Sequence, residues 1–194
     1  MKKTLIKRLS IGVSGASGVG KTTVVKEVAS EVSRGYEVLL SQDVARSLAG
    51  RGVRINTESQ TDDYLAFLTL RLHDLLYLRS DLVIFDRTLL DVLVFMKLNG
   101  HAQGWLKALT SELVRWQMNE LSLYFYIPIE FEAEQDGIRI VDPDVNRQVD
   151  RITLDLLREY RPDFITLTGS IPERVNLVLE LLSRIGLYLG PRDV

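Results

Sequence analysis

The chain contains no cysteine and only two histidines, His73 and His101. The first absence excludes a disulfide-stapled scaffold, a thiolate metal site and catalysis by a cysteine nucleophile. The second leaves a histidine-based zinc site short of ligands unless carboxylates complete it. No apolar run approaches the roughly 18 residues needed to span a bilayer. Neither sign of charge dominates. The 24 lysines and arginines face 26 acidic residues, a formal charge of −2, so there is no bulk positive field for wrapping duplex DNA. What is present is an ordinary globular composition, 46% apolar and 26% charged over 194 residues. That is enough for a single domain spanning 1–194 with a core that needs no staples.

The opening Met1-Lys2-Lys3 and the apolar residues after it imitate a signal peptide. The apolar part is only a strand long and runs straight into a glycine loop, so it is read as the first core strand of a cytoplasmic protein with no membrane association. Strand-like and helix-like patterns then alternate to the end, the pattern of a parallel α/β sheet. Strands are predicted over 9–14, 36–40, 82–85, 121–127 and 164–167. Helices are predicted over about 20–34, 62–79, 103–120, 145–160 and 171–189, with another starting after Thr88. Thr88 with Asp91 makes an N-terminal capping pair, and Asn99-Gly100 marks the stop. This helix is apolar on nearly every face and is expected to be buried. The expected fold is one doubly wound domain with a five-stranded parallel sheet. Residues 128–143 break the rhythm and read as a lid-like insertion, in which Gly137 offers a hinge and Glu130, Glu132 and Glu134 form a solvated face.

The strongest motif is Gly15-Ala16-Ser17-Gly18-Val19-Gly20-Lys21-Thr22, which fits G-x-x-x-x-G-K-[ST] between an apolar strand and a helix. Its glycines let backbone N–H groups converge on phosphate oxygens, and the helix N-terminus adds partial positive charge. This gives a nucleotide-binding set of Gly15 to Thr22 with Thr23 following. Lys21 is expected to reach the β- and γ-phosphates of ATP, and the Thr22 hydroxyl to ligate Mg²⁺. The same glycines imitate a dinucleotide fingerprint, with Asp43 as a ribose-binding acid, but Lys-Thr after the last glycine has no use there.

A second site is Asp86 at the end of the apolar strand 82–85. An acid at that edge either holds Mg²⁺ or activates a substrate hydroxyl, and the bland alternative is a salt bridge to Arg87. Remodelling ATPases place glutamate beside this acid; here it is Arg87. GTPase strings of the type D-x-x-G and N-K-x-D are missing. Arginine beside the acid suits an anionic substrate or a transferring phosphoryl group.

Taken in order, Gly15–Thr22, Asp43-Val44-Ala45-Arg46, Ile55-Asn56-Thr57-Glu58-Ser59-Gln60-Thr61, Asp86-Arg87-Thr88-Leu89-Leu90-Asp91 and Asp136-Gly137-Ile138-Arg139 carry a resemblance over nearly the whole chain. The chain resembles the small AAA-type ATP-binding family that includes the nicotinamide riboside kinase domain, similar in turn to deoxynucleoside and nucleoside monophosphate kinases. The resemblance implies that Asp43, where the family usually has glutamate, lies by the substrate hydroxyl. Arg46, on the same helix face, holds substrate or pairs with Asp43. Asp86 and Arg87 match the acid and the phosphate-side cation of the kinases' acid-Arg-Ser/Thr motif. Arg139 and Arg147 match lid arginines, with surface ion pairs to Asp142 or Asp150 as the alternative. The loop Thr168-Gly169-Ser170 matches the adenine-binding position, or is simply a turn and cap.

The expected activity is Mg²⁺- and ATP-dependent transfer of the γ-phosphate to a hydroxyl or phosphate of a small nucleoside- or nucleotide-type acceptor. Lys21, Asp43, Asp86, Arg87 and Arg139 would be catalytic. Asp43, Arg46, Arg87 and Arg147 would contact substrate. Thr22 and Asp86 would hold the metal, and Gly169 would face the nucleotide. A kinase of a hydroxymethylated base in DNA, and a regulatory ATPase that signals to a protein partner, remain open. Oligomeric state is not legible.

Overall fold

The computed structural model describes residues 9–41, 44–130 and 142–187, apart from the side chains of residues 46 and 56. Asp43, Arg139, the Arg46 side chain and most of the expected insertion, 131–141, lie outside the described residues.

Five parallel strands form one sheet: β1 (Leu9–Ser14), β2 (Val38–Ser41), β3 (Leu82–Asp86), β4 (Leu123–Tyr126) and β5 (Ile165–Thr166), in the spatial order β2-β3-β1-β4-β5. Helices α1 (Lys21–Val32), α2 (Val44–Ala49), α3 (Thr61–Tyr77), α4 (Leu89–Leu98), α5 (Gly104–Glu120), α6 (Pro143–Tyr160) and α7 (Ile171–Arg184) fill the connections. This is the expected doubly wound α/β architecture.

Alternation along the strands sorts side chains onto two cores, because successive residues face opposite sides of a sheet. Val83, Phe85, Tyr124 and Tyr126 pack with α3, α4, α5 and α6 on one side, whereas Leu82, Ile84, Phe125 and Ile127 pack with α1 and α7 on the other. The aromatic run 124–126 is therefore buried strand. The start of α4 comes close to β1 because Gly12 leaves room for Thr88 there. A Cβ at Gly12 would meet Thr88, Leu121 and Tyr124 at 2.9–3.0 Å. Thr88 and Asp91 cap α4 reciprocally, as the sequence predicts. No helix among the described residues is long and apolar enough to cross a membrane.

Two of the boundaries that differ from expectation have a visible cause. The helix after the insertion starts at Pro143, with Asp142 as N-cap accepting from the Asp144 and Val145 amides. Proline is pre-set for the first helical position, so the residue expected to close the insertion instead opens α6. The last helix ends at Arg184, not 189. Gly186 has a φ of 119° and turns the chain so that Leu187 is buried against the second core.

Candidate active site

The register of β1 against β3 builds the site. Val13 is level with Asp86, and the Arg87 amide donates to the Val13 carbonyl at 3.0 Å. Both strands therefore end side by side, with the Gly15–Thr22 loop leaving one and the acid terminating the other. Gly15 must be glycine. Its φ is 149°, and a Cβ there would lie 2.3 Å from the Ile127 carbonyl oxygen.

Inside the loop, Lys21 is buried and its Nζ donates to the Gly15 carbonyl at 2.9 Å and to the Ala16 carbonyl. Thr22 lies in the first turn of α1, and its hydroxyl donates to Asp86 Oδ2 at 2.6 Å. Asp86 is 2% exposed, and its other oxygen, Oδ1, has no hydrogen-bond partner. A buried carboxylate oxygen left bare is costly unless a cation meets it. A hydroxyl and a carboxylate in contact, both hard oxygen donors, fit Mg²⁺. The alternative partner for Asp86 is not realised: Arg87 turns to Asp91, 3.4 Å away, and lies over the Phe95 ring at 6.0 Å. Arg87 is the one non-glycine residue among those described with a positive φ, 70°.

Beside the loop lies a cavity of about 210 Å³, lined by Lys21, Thr22, Thr23, Arg87 and Asp91 and walled by Tyr64, Phe67 and Phe95. Arg71 also lines it. This arginine, hidden in a leucine-rich helix, was missed by sequence reasoning. It is 1% exposed and donates to Ser41 Oγ and to the Asp86 carbonyl, both at 2.6 Å. Behind the cavity, Ser14, Thr88, Asp91 and Tyr124 form a buried polar cluster. Burial, reinforced by Asp91, pushes the Tyr124 hydroxyl far above its ordinary range, so it remains protonated.

Two further contacts brace the loop from distant parts of the chain. Asn146 on α6 grips Ser17 with both ends of its amide: the Ser17 N–H donates to Oδ1 and Nδ2 donates to the Ser17 carbonyl, each at 3.0 Å. One turn later, Asp150 accepts from the Tyr126 hydroxyl at 2.8 Å. Burial raises the Asp150 carboxyl above its usual range, against the opposing pulls of that hydroxyl and of the Lys21 charge. Asn146→Ala is expected to weaken binding of a non-hydrolysable ATP analogue by about 5- to 30-fold, the equivalent of one or two buried hydrogen bonds. Calorimetric titration checks this, and an unchanged affinity would reduce the contact to packing.

On the other flank, Arg174 of α7 is 3% exposed, donating to the Val19 carbonyl at 2.7 Å and pairing with Glu130 at 2.6 Å. Glu130 also accepts from the Gly169 amide at 3.1 Å. Glu130 is exposed, as a solvated acidic face requires, but its carboxylate also pairs with the buried arginine. Glu132 and Glu134 lie outside the described residues. Gly169 borders a second recess of about 180 Å³ beside Gly18, Val19 and Gly20. Ser170 next to it caps α7 reciprocally with Glu173. Arg147 is not brought to the cavity: it is exposed on α6 and pairs with Asp144, neither of the two partners expected for it. His73 is exposed, and His101 packs on Tyr64 with ring centroids 5.6 Å apart.

Strand, glycine loop, helix and the acid on the neighbouring strand define a phosphate-loop α/β protein. The chain belongs to the AAA domain family, which it matches over residues 10–174. No sequence match was found among curated proteins. Among solved structures it is similar to NadR in complex with NAD and AMP-PNP, with a TM-score of 0.71 and 15% identity over 96% of this chain and 51% of NadR. NadR in complex with NR gives 0.72 and 16%, over 95% and 52%. A deoxyadenosine kinase from M. mycoides, with dCMP and a flexible dCDP bound as products, gives 0.59 and 19%, over 91% and 100%. At these identities the likeness is one of fold, and the chain spans about half the length of the NadR chains.

Proposed function

We propose that the protein is an ATP-dependent phosphotransferase that moves the γ-phosphate to a hydroxyl or phosphate of a small nucleoside- or nucleotide-type acceptor in the cytoplasm. The observation that carries this reading is the meeting, at one strand edge, of the Lys21–Thr22 loop, the Thr22–Asp86 contact and a cavity opening onto both. Loop amides would cradle the phosphates of ATP, and Lys21 would exchange its two carbonyl partners for phosphate oxygens. Thr22 and Asp86 would hold Mg²⁺, which would supply neutralisation of phosphate charge. Arg87 would face the transferring group from the acceptor side. The recess by Gly169 would receive the base of ATP, as part of the same nucleotide site. The AAA domain match and the AMP-PNP, dCMP and dCDP bound in the similar structures support this reading.

The test is incubation with ATP labelled at the γ-phosphate, Mg²⁺ and a panel of nucleosides, nucleotides and oligonucleotides carrying a hydroxymethylated base. A labelled small-molecule product is expected. Label only in the oligonucleotide, or ATP hydrolysis with no labelled acceptor, would overturn the proposal.

A further inference from the structure

Helix α5 has two faces of opposite kind. Leu106, Thr110, Val114, Gln117 and Met118 are buried in the domain. Gln117 accepts from the Leu89 amide at 2.7 Å, which fixes α5 against the start of α4. On the outer side, Trp105, Leu109 and Trp116 follow one another at helical spacing and share one stripe. They are 63%, 43% and 37% exposed. Exposed apolar residues scattered singly are ordinary, but a contiguous patch holding two tryptophans marks a contact surface.

The charges on this side of α5 are self-complementary. Glu112 lies on the stripe and Arg115 at its border; both are exposed, and they pair with each other along the helix. The Arg115 guanidinium is also steadied over the Tyr160 ring of α6, 5.3 Å from its centroid. A two-fold axis beside α5 lays a second copy of the helix antiparallel on the first, and every contact then occurs twice. A register centred near Leu113 brings Leu109 onto Trp116 of the second copy. The same register sets Glu112 opposite Arg115 of the second copy, so apolar and charged residues are matched together. The chain's formal charge of −2 opposes such self-association only weakly.

We infer that the outer face of α5 is the interface of a two-fold symmetric homodimer, each Trp105–Leu109–Trp116 stripe being covered by the same stripe of a second copy. Counted from both copies, the exposed parts of these three side chains supply about half of the roughly 1,000 Å² that a specific interface buries. Ala108, Glu112, Arg115 and Asn119 extend the contact around them. None of these residues lines the cavity beside the phosphate loop, so the inference stands whether or not the phosphotransferase reading does.

Trp105 and Trp116 are the two tryptophans of the chain, so intrinsic tryptophan emission reports on this face alone. Sedimentation equilibrium of the intact chain from about 1 to 200 µM is expected to show a dimer, complete or in exchange with monomer. Tryptophan emission should lie at shorter wavelength in the dimer than in the monomer. Leu109→Glu, a change at an exposed position, is expected to raise the dimer Kd by about 100-fold or more while leaving the circular dichroism spectrum unchanged. Glu112→Arg alone is expected to raise Kd by about 10-fold, because like charges then meet across the two-fold axis, and adding Arg115→Glu to it should restore Kd to within about threefold. A monomer throughout the concentration range overturns the inference, whether its tryptophans are open to a soluble quencher, shielded by another part of the chain, or shifted in emission only by phosphatidylglycerol vesicles. A dimer indifferent to Leu109→Glu overturns it as well, and a charge exchange that restores nothing overturns the antiparallel pairing.

Discussion

Lys21→Ala is expected to lower phosphoryl transfer by about 100- to 1,000-fold, the range seen when a preorganised charge donor is removed from a transition state. The ammonium is bonded to the Gly15 and Ala16 carbonyls, so it is held inside the loop. Nucleotide binding replaces neutral carbonyl acceptors with anionic oxygens, a stronger class of hydrogen bond. The gain is greatest where charge develops on the leaving β-phosphate. Loss of the lysine should therefore appear in kcat more than in the affinity for ADP. Because its amine caps two loop carbonyls, the substitution also costs about 1–2 kcal/mol of stability. Steady-state kinetics and a thermal unfolding curve measure the two effects separately. Transfer within threefold of the unaltered protein would sink the assignment of the loop.

Asp86→Asn is expected to reduce kcat by about 100-fold while changing ATP-analogue affinity much less. The substitution keeps an oxygen for the Thr22 hydroxyl, so the loop contact at 2.6 Å is preserved. What disappears is the negative charge and the bare Oδ1. In the absence of Mg²⁺ that buried charge is a burden, since a carboxylate out of water lacks compensation. The asparagine variant should thus unfold at the same temperature or slightly higher when no metal is added. It should also lose most of the extra stability that Mg²⁺ together with the ATP analogue confers on the unaltered protein. Equal stabilisation of both proteins by Mg²⁺ and analogue would rule out a metal role for Asp86.

Much of this site can be read from local signals. The loop, the acid at the end of β3 and the Thr88–Asp91 cap are each contained within a few consecutive residues, where spacing alone fixes geometry. The residues that escaped are joined by the fold. Arg71 lies among leucines on α3, and nothing in its neighbours marks that its guanidinium reaches the Asp86 carbonyl. Asn146 contacts Ser17 across 129 positions. Glu130 looks like one member of an exposed alternating run until Arg174, 44 positions later, is brought against it. In each case a buried polar group finds its partner only through the parallel crossovers, and no periodicity in the chain records the pairing. The early end of α7 has a related cause: the chain turns at Gly186 to bury Leu187, and tertiary packing ends the helix before the sequence pattern does.

The backbone at Arg87 sets stability and charge against each other at a single position. Glycine would adopt a φ of 70° without strain, whereas an arginine there costs about 1–2 kcal/mol. Any search for more heat-resistant variants, whether by random substitution or by design, would be drawn to Arg87→Gly early. It would remove the cation poised over Phe95 in the same stroke. The strain is set against the pairing of Arg87 with Asp91, so what glycine would gain in the backbone it would return in lost contacts, and the cavity wall would keep its shape while losing its charge.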